Sequence, residues 1–427
     1  MAMALTMSMA LYSSLTEQDP VPEKKSANLF DTTVQTDPDL RGTWQSIEYG
    51  WILDINETSA ALYDVTDADC TEATALLESF ETYFHAYVIV DDQLRLIGMF
   101  DPYTYYFDRA PNLPTRCRET KDDAPQVNFS FFVDVMSAHY AFFKTRGVDW
   151  QAIVEANAPR ITAQTSDDEL WSIFRDMLRP IKDGHVALRR TDGRQYLPGR
   201  GKTMLSIIPL AQARGEHPQQ LFEMWYADYA RQIRDDLLDG KAQWQANDRV
   251  IFGLIDGDIG YINIRSMGGY VENIGWTGND FRSELDVLNA ALDQAMELFK
   301  DATGVIIDVS DNSGGFGVFG DHIASRFMSK DLPGNYRFPA VNPNRIQQEA
   351  TISPSKRERF SGPVIVLSSN LTVSAGESFL MTMRLLPQVK IAGEPTRGAL
   401  SEVLTKTLPN GWELDLSNEH YLDIDMA

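Results

Sequence analysis

Two stretches decide the fold: Gly304–Gly320, GVIIDVSDNSGGFGVFG, and Pro363–Met383, PVIVLSSNLTVSAGESFLMTM. Each begins with an apolar run of strand length, crosses a glycine- or serine-bearing turn, and enters an apolar pattern at helical spacing. Two such strand–turn–helix units read as α/β architecture built on buried strands, with the functional loops at the strand C-terminal ends. The flanking sequence extends the same grammar. The strand IGYINI (259–264) precedes a Gly-rich loop and a helix over 282–300, whose Leu285, Leu288, Leu292, Met296 and Phe299 share one face. QVKIAGE (388–394) is a further strand, followed by a hairpin closed by Asn410-Gly411.

Upstream the pattern is helical. Phe132, Val135, Met136, His139, Tyr140 and Phe143 recur at three- and four-residue steps, and a turn at Arg146-Gly147 leads to VDWQAIVEANAPRI. TSDDELWSIFRDMLRPI has an acidic first turn behind Thr165/Ser166, a helix start, and runs into KDGHVALRR, where Asp183-Gly184 turns before a short strand. Residues 215–245 read as helical again. Residues 44–106 hold short β-like pieces, with Asp91-Asp92 as a hairpin turn. The division expected is a flexible lead-in (1–40), a small β-rich N-terminal domain (41–120), a helical domain carrying D-G-H (125–248) and an α/β domain (249–427). No internal repeat is visible.

Composition narrows function. The 427 residues carry 38 Lys+Arg against 61 Asp+Glu, a net charge of −23, which argues against nucleic acid and anionic lipid as partners. With 43% hydrophobic and 23% charged residues the chain is ordinary globular material. No apolar run is long enough to span a membrane. The opening MAMALTMSMALYSSL has an apolar flavour without a basic n-region, and reads as a signal-peptide remnant or a frayed terminus. Cys70 and Cys117 have no zinc-like companions, so no metal site is expected; they are one disulfide or two buried thiols. No cofactor is expected, since the Gly-Gly loop lacks the Lys and Ser/Thr of a P-loop.

Three features carry chemistry, and each has a bland reading beside it. Ser374 opens a helix, where the positive helix end and free N–H groups can hold an oxyanion; Ser374-Ala375-Gly376-Glu377 is also a plain S-x-x-E capping box. Gly314 and Gly315 let backbone N–H groups approach a ligand closely, or merely make a tight turn. Among the histidines (85, 139, 185, 217, 322, 420), His185 alone follows a turn and opens a strand, as a held base or as a packed residue. Ser353-Pro354-Ser355-Lys356 and Ser310-Asp311-Asn312 imitate β-lactamase signatures in reversed order without a K-T-G, and are coincidental.

Taken in order, D-G-H after a helical region, then a strand with a Gly-Gly loop, then a strand leading to T-V-S-A-G-E, the chain resembles the tricorn / C-terminal-processing-peptidase family of serine peptidases. The resemblance covers roughly residues 130–425. It implies a crotonase/ClpP-like catalytic domain, Ser374 as nucleophile, N–H groups of Ala375 and of Gly314-Gly315 as oxyanion hole, and peptide or unfolded protein as substrate. The lysine that one branch places 25 residues past the serine is replaced by Ala399, Lys406 is a doubtful substitute, and no PDZ-like loop occurs over 190–250. These departures point to the tricorn-like branch, in which His185 is the base, with Glu377 supporting the site. The acid that orients the histidine in that branch has no clear counterpart among Glu419, Asp423 and Asp425. The expectation is therefore a catalytic domain truncated at its C-terminus and an activity weakened by the absent acid. The other reading is a catalytically silent module on the same fold, holding a peptide or an apolar ligand. The resemblance also implies export to the periplasm or cell exterior, and it leaves the oligomeric state open.

Overall fold

A six-stranded sheet organises the C-terminal half, its strands Gln243–Gln245, Val250–Ile255, Ile259–Ile264, Gly304–Asp308, Val364–Ser368 and Val389–Gly393 lying side by side in chain order. The first two pairings are antiparallel, and the last four strands run parallel. Parallel strands placed in consecutive order and joined by right-handed crossovers put every crossover helix on one face. The helices Gly278–Phe299, Gly317–Ala324 and Ala375–Met383 do share one apolar cluster with this sheet, built on Leu288, Phe299, Ile307, Phe319, Val366 and Phe379. Only the first part of the opposite face is covered, by Ala230 and Ile233 at the end of the Pro218–Gln232 helix against Ile251 and Tyr261. Ile365 and Ile391 are consequently 41% exposed, although their strands read in sequence as buried runs.

The structure, a computed structural model, describes residues 25–26, 37–46, 48–73, 77, 83–98, 103–119, 122–272 and 278–426. Most of the lead-in expected over 1–40, with the apolar opening stretch, lies outside them.

The N-terminal β region is an eight-stranded, largely antiparallel sheet; Asp91 and Asp92 both take positive φ (49° and 61°) between paired Val90 and Gln93, as a two-residue hairpin turn requires. Cys70 and Cys117 are disulfide-bonded, joining two segments 47 residues apart. The helices expected from periodicity are Pro125–His139, Trp150–Asn157 and Asp167–Leu178, the last opened by a capping box of Ser166 with Glu169. Residues 215–245 are less uniform than expected. A helix, Lys202–Arg214, precedes them, Pro218–Gln232 follows, and a strand, Gln243–Gln245, closes the segment. Lys202–Arg214 contains Pro209 and exposes Leu205 and Leu210, so no apolar stripe advertises it.

One apolar cluster joins the N-terminal sheet (Trp44, Leu53, Phe107), the helical block (Phe132, Phe174, Leu178) and the late strands Val403–Thr407 and Glu413–Ser417 (Leu404, Leu414, Leu416). Those strands form a second, four-stranded sheet with Ala187–Arg189, the strand that follows His185. A short antiparallel group of Tyr336–Pro339, Gln347–Gln348 and Glu419–Leu422 completes the architecture. The fold is mixed α/β.

Candidate active site

The adjacent parallel strands Gly304–Asp308 and Val364–Ser368 end at the same edge of the sheet, so the loops 309–316 and 369–374 meet there. Asp308 and Asp311 anchor the first loop. Asp308 accepts the hydroxyls of Tyr261 (2.6 Å) and Tyr229 (2.9 Å), while Asp311 takes Asn263 Nδ2 (2.8 Å) and Arg265 Nε (3.1 Å). Asn312, fully buried, donates to Ile264 O (2.9 Å) and accepts Gly314 N–H (2.9 Å). The two glycines are required for different reasons. A Cβ on Gly315 would sit 2.0 Å from Met267 O, and one on Gly314 would meet Ser374 Cβ at 2.9 Å.

Ser374 stands at the N-terminus of the Ala375–Met383 helix with φ 56° and ψ −122°, a sparsely populated conformation for a residue with a side chain. Its N–H donates to Glu377 Oε2 at 2.9 Å, so the carboxylate half of the expected capping box is present. The same buried carboxylate accepts the Thr396 hydroxyl (2.7 Å) and the N–H groups of Gly398 (2.8 Å) and Ala399 (2.9 Å). Neither Gly315 N–H nor Ala375 N–H has a protein acceptor among the described residues, while Gly314 N–H is committed to Asn312. Gly315, Ser374, Ala375 and Ser378 line a cavity of about 500 Å³, with Arg337 and Glu402 also on its wall.

The D-G-H segment is drawn to this place by long-range contacts. Gly184 packs against Val373, Ala399 and Arg397, whose guanidinium donates to Asn370 O (2.8 Å) and Gly199 O (3.1 Å). Arg146 bridges Lys182 O (2.7 Å) and Gly398 O, and lies 3.4 Å from Asp183. Asp183, fully buried, accepts the N–H of His185 (2.9 Å) in an Asx turn and the Tyr140 hydroxyl (2.9 Å). His185 is half-buried, and its Nδ1 lies 3.5 Å from Ser417 Oγ. Burial holds the imidazole below its ordinary pKa, opposed by the carboxylates of Asp183, Glu377 and Asp415. No hydrogen bond joins Ser374 Oγ to His185 among the described residues.

The remaining candidates are placed elsewhere. Lys406 is fully buried on Asp64 (2.8 Å) and Gly50 O (2.7 Å), in the seam with the N-terminal sheet. Ala399, at the dyad position, is buried and contributes only its N–H, to Glu377. Glu419 accepts the Tyr49 hydroxyl (2.8 Å) and lies 3.5 Å from Arg337, and Asp423 pairs with Arg384. Among the described residues no group of acids, histidines and cysteines is arranged to hold a metal ion.

Residues 258–427 match the model of peptidase family S41, and residues 122–179 match that of the tricorn protease C1 domain. The chain resembles the S41 and tricorn serine peptidases. The first match holds Ser374, Gly314, Gly315 and Glu377; the second ends just before the D-G-H turn. Among solved structures, a candidate peptidase from Parabacteroides merdae ATCC 43184 is 28% identical, with 71% of this chain and 86% of that one aligned at a TM-score of 0.54. Mature CPAF is 12% identical (71% and 90% covered, TM-score 0.48), and the photosystem II D1 C-terminal processing protease 15% (72% and 90%, TM-score 0.41). No curated protein matches. The mixed α/β fold is thus S41 peptidase-like. Among the described residues no helix is long and apolar enough to cross a membrane.

Asn312 stands in the sequence reading only within a motif set aside as coincidental, while Ser417, Arg146 and Arg397 are the site residues that sequence reasoning passes over. Their roles come from partners far away in the chain, and no local motif marks them.

Proposed function

We propose that this chain is a serine peptidase in which Ser374 is the nucleophile and His185 the general base, on a crotonase/ClpP-like catalytic domain. The observation that carries the reading is the strained Ser374 beside two unpartnered N–H groups, Gly315 and Ala375, on the wall of one cavity. Strain of this kind persists only where the surroundings enforce it; here Glu377 fixes the backbone at Ser374.

Ser374 Oγ attacks a peptide carbonyl as the imidazole of His185 takes its proton. The carbonyl oxygen becomes an oxyanion held by Gly315 N–H and Ala375 N–H, the latter an orphan donor at a helix start. The protonated imidazole then gives its proton to the leaving amine, and water releases the acyl group. Hydrogen bonds between base and nucleophile are often long in unliganded sites and tighten with substrate, so the lack of a Ser374–His185 hydrogen bond among the described residues does not rule His185 out as base. The hydroxyl of Ser417 at Nδ1, with Asp183 holding the His185 backbone, serves the orientation that a triad acid gives elsewhere. Export belongs to the same reading, supported by the Cys70–Cys117 disulfide, a bond favoured in oxidising compartments.

Labelling with a fluorophosphonate probe tests the assignment. The intact chain is expected to label and Ser374→Ala to lose the label; a folded chain with no Ser374-dependent label overturns it in favour of a silent binding module.

A further inference from the structure

Val403–Thr407 is the outer strand of the four-stranded sheet, beside Glu413–Ser417. Along an antiparallel edge strand, successive residues alternate between bonding the neighbour and directing N–H and C=O outward. Thr407 N–H donates to Asp64 Oδ2 (2.7 Å), so position 407 faces outward, and by the same alternation so do Thr405 and Val403. Among the described residues, the N-terminal sheet bonds to this edge at its far end, where Asp64 and Gly50 O receive Lys406. Val403–Thr405 instead border a groove of about 180 Å³, whose opposite wall carries the rings of Tyr49, Trp51, Tyr83 and Tyr105. Tyr49 stacks on Trp51 at 5.0 Å and lies 4.9 Å from Tyr105, so the wall is a packed aromatic surface.

An independent observation points to a ligand. Asn418 lines the groove, is 1% exposed, and neither its Oδ1 nor its Nδ2 has a partner among the described residues. Buried amides are almost always paired, and this one presents an acceptor and a donor side by side, the complement of one residue's N–H and C=O in an extended chain. Glu402 lines both this groove and the cavity at Ser374, so the two adjoin there.

We propose that the groove is an extended subsite for the substrate chain. A peptide segment in β conformation adds to the Val403–Thr405 edge, Asn418 pairs with its backbone, and a large apolar or aromatic side chain enters among the rings. The groove holds one side chain and its backbone, which excludes a globular surface as occupant. Naming the occupant as substrate rests on the peptidase reading; the groove's affinity for an extended aromatic peptide does not.

The test uses the full chain carrying Ser374→Ala, so that peptide is bound and not consumed. Two labelled, unstructured peptides long enough to span both cavities differ by one Phe-for-Ser exchange, and their binding is read by fluorescence anisotropy. The Phe peptide is expected to bind about tenfold tighter, the order of one well-filled apolar contact. Asn418→Leu should weaken both peptides, and Trp51→Leu should erase the preference for Phe. Equal affinity for the two peptides, or parent-like binding by both variants, overturns the proposal. Fluorophosphonate labelling of the same variants on the Ser374-bearing chain separates the two readings. Label retained with the peptide preference lost supports the groove, and a parent chain that binds the Phe peptide yet never labels supports the groove while removing the peptidase assignment.

Discussion

Glu377 Oε2 accepts the backbone N–H of both Ser374 and Ala399, each at 2.9 Å. One carboxylate therefore ties the strained residue at the helix start to the 396–399 loop, and that loop is tied through Gly398 and Arg146 to the turn before His185. Ser374 and His185, the nucleophile and base of the proposed function, are tied together by one continuous network.

This network makes Glu377→Gln a severe change despite its small size. All four groups aimed at the carboxylate are donors, so an amide places its own NH₂ against N–H groups. Stability should fall by about 1–3 kcal/mol, and kcat/KM by about 100-fold through loss of Ser374 geometry. Glu377→Asp is expected to fail comparably, because its shorter side chain draws the acceptors away. Denaturant titration together with probe-labelling rates checks both; unchanged labelling in Glu377→Gln would remove the carboxylate from the positioning scheme.

Gly315 tolerates no side chain, since the added Cβ would fall 2.0 Å from Met267 O. Gly315→Ala must displace the loop that presents its N–H to the cavity. The expected result is a loss of about 100- to 1000-fold in kcat, the range for one oxyanion donor. Gly193→Ala, at a turn where the added carbon meets nothing within 4 Å, controls for glycine replacement as such.

Burial lowers the pKa of His185 from its ordinary value. A general base acts when neutral, so activity should stay level as pH falls to about 6.5 and decline tenfold per unit only below that. Ser417→Ala removes the hydroxyl at Nδ1 and is expected to lower kcat about tenfold with little effect on KM, as for a residue that positions the base. The pH profile of kcat/KM is the measurement, and an acid limb centred above about 6.5 contradicts the assignment of His185.

Lys406 and Asp64 are both fully buried, and burial pushes the lysine down and the aspartate up, each against the attraction of the other. Lys406→Ala strands a carboxylate in the seam between the N-terminal sheet and the Val403–Thr407 strand, at a cost of about 3–5 kcal/mol. Lys406→Met with Asp64→Leu should regain most of this, less about 1–3 kcal/mol for the Thr407 N–H that loses its acceptor. Thermal or denaturant unfolding of the three chains checks the order, and a double variant no better than the single one would show that the charges themselves are needed.

The sequence made legible what is local. Strand–turn–helix units expose Ser374 and Gly314-Gly315 because a buried strand, a sharp turn and a helix start are adjacent in the chain. D-G-H is readable as a turn for the same reason, whereas the Asx bond from the His185 N–H to Asp183 is seen only in the structure. What stayed hidden depends on distant partners: Arg146 meets Gly398 across 252 residues and Ser417 meets His185 across 232. Ile365 looked buried because apolar runs imply two covered faces, whereas the strand order sends the crossover helices to one face.

The late strands have a consequence for synthesis. Arg189, in the strand after His185, is clasped by Asp415, 226 residues further on, and Leu404, Leu414 and Leu416 fill the same cluster as Trp44 and Phe132. A nascent chain therefore carries an open core through most of its translation, a topology that folds slowly and invites chaperones. It also carries Ser374 well before His185 has its final support. The strand that follows His185 gains its sheet neighbour only when residues 413–415 are in place, so the surroundings of Ser374 and His185 close among the last parts of the molecule.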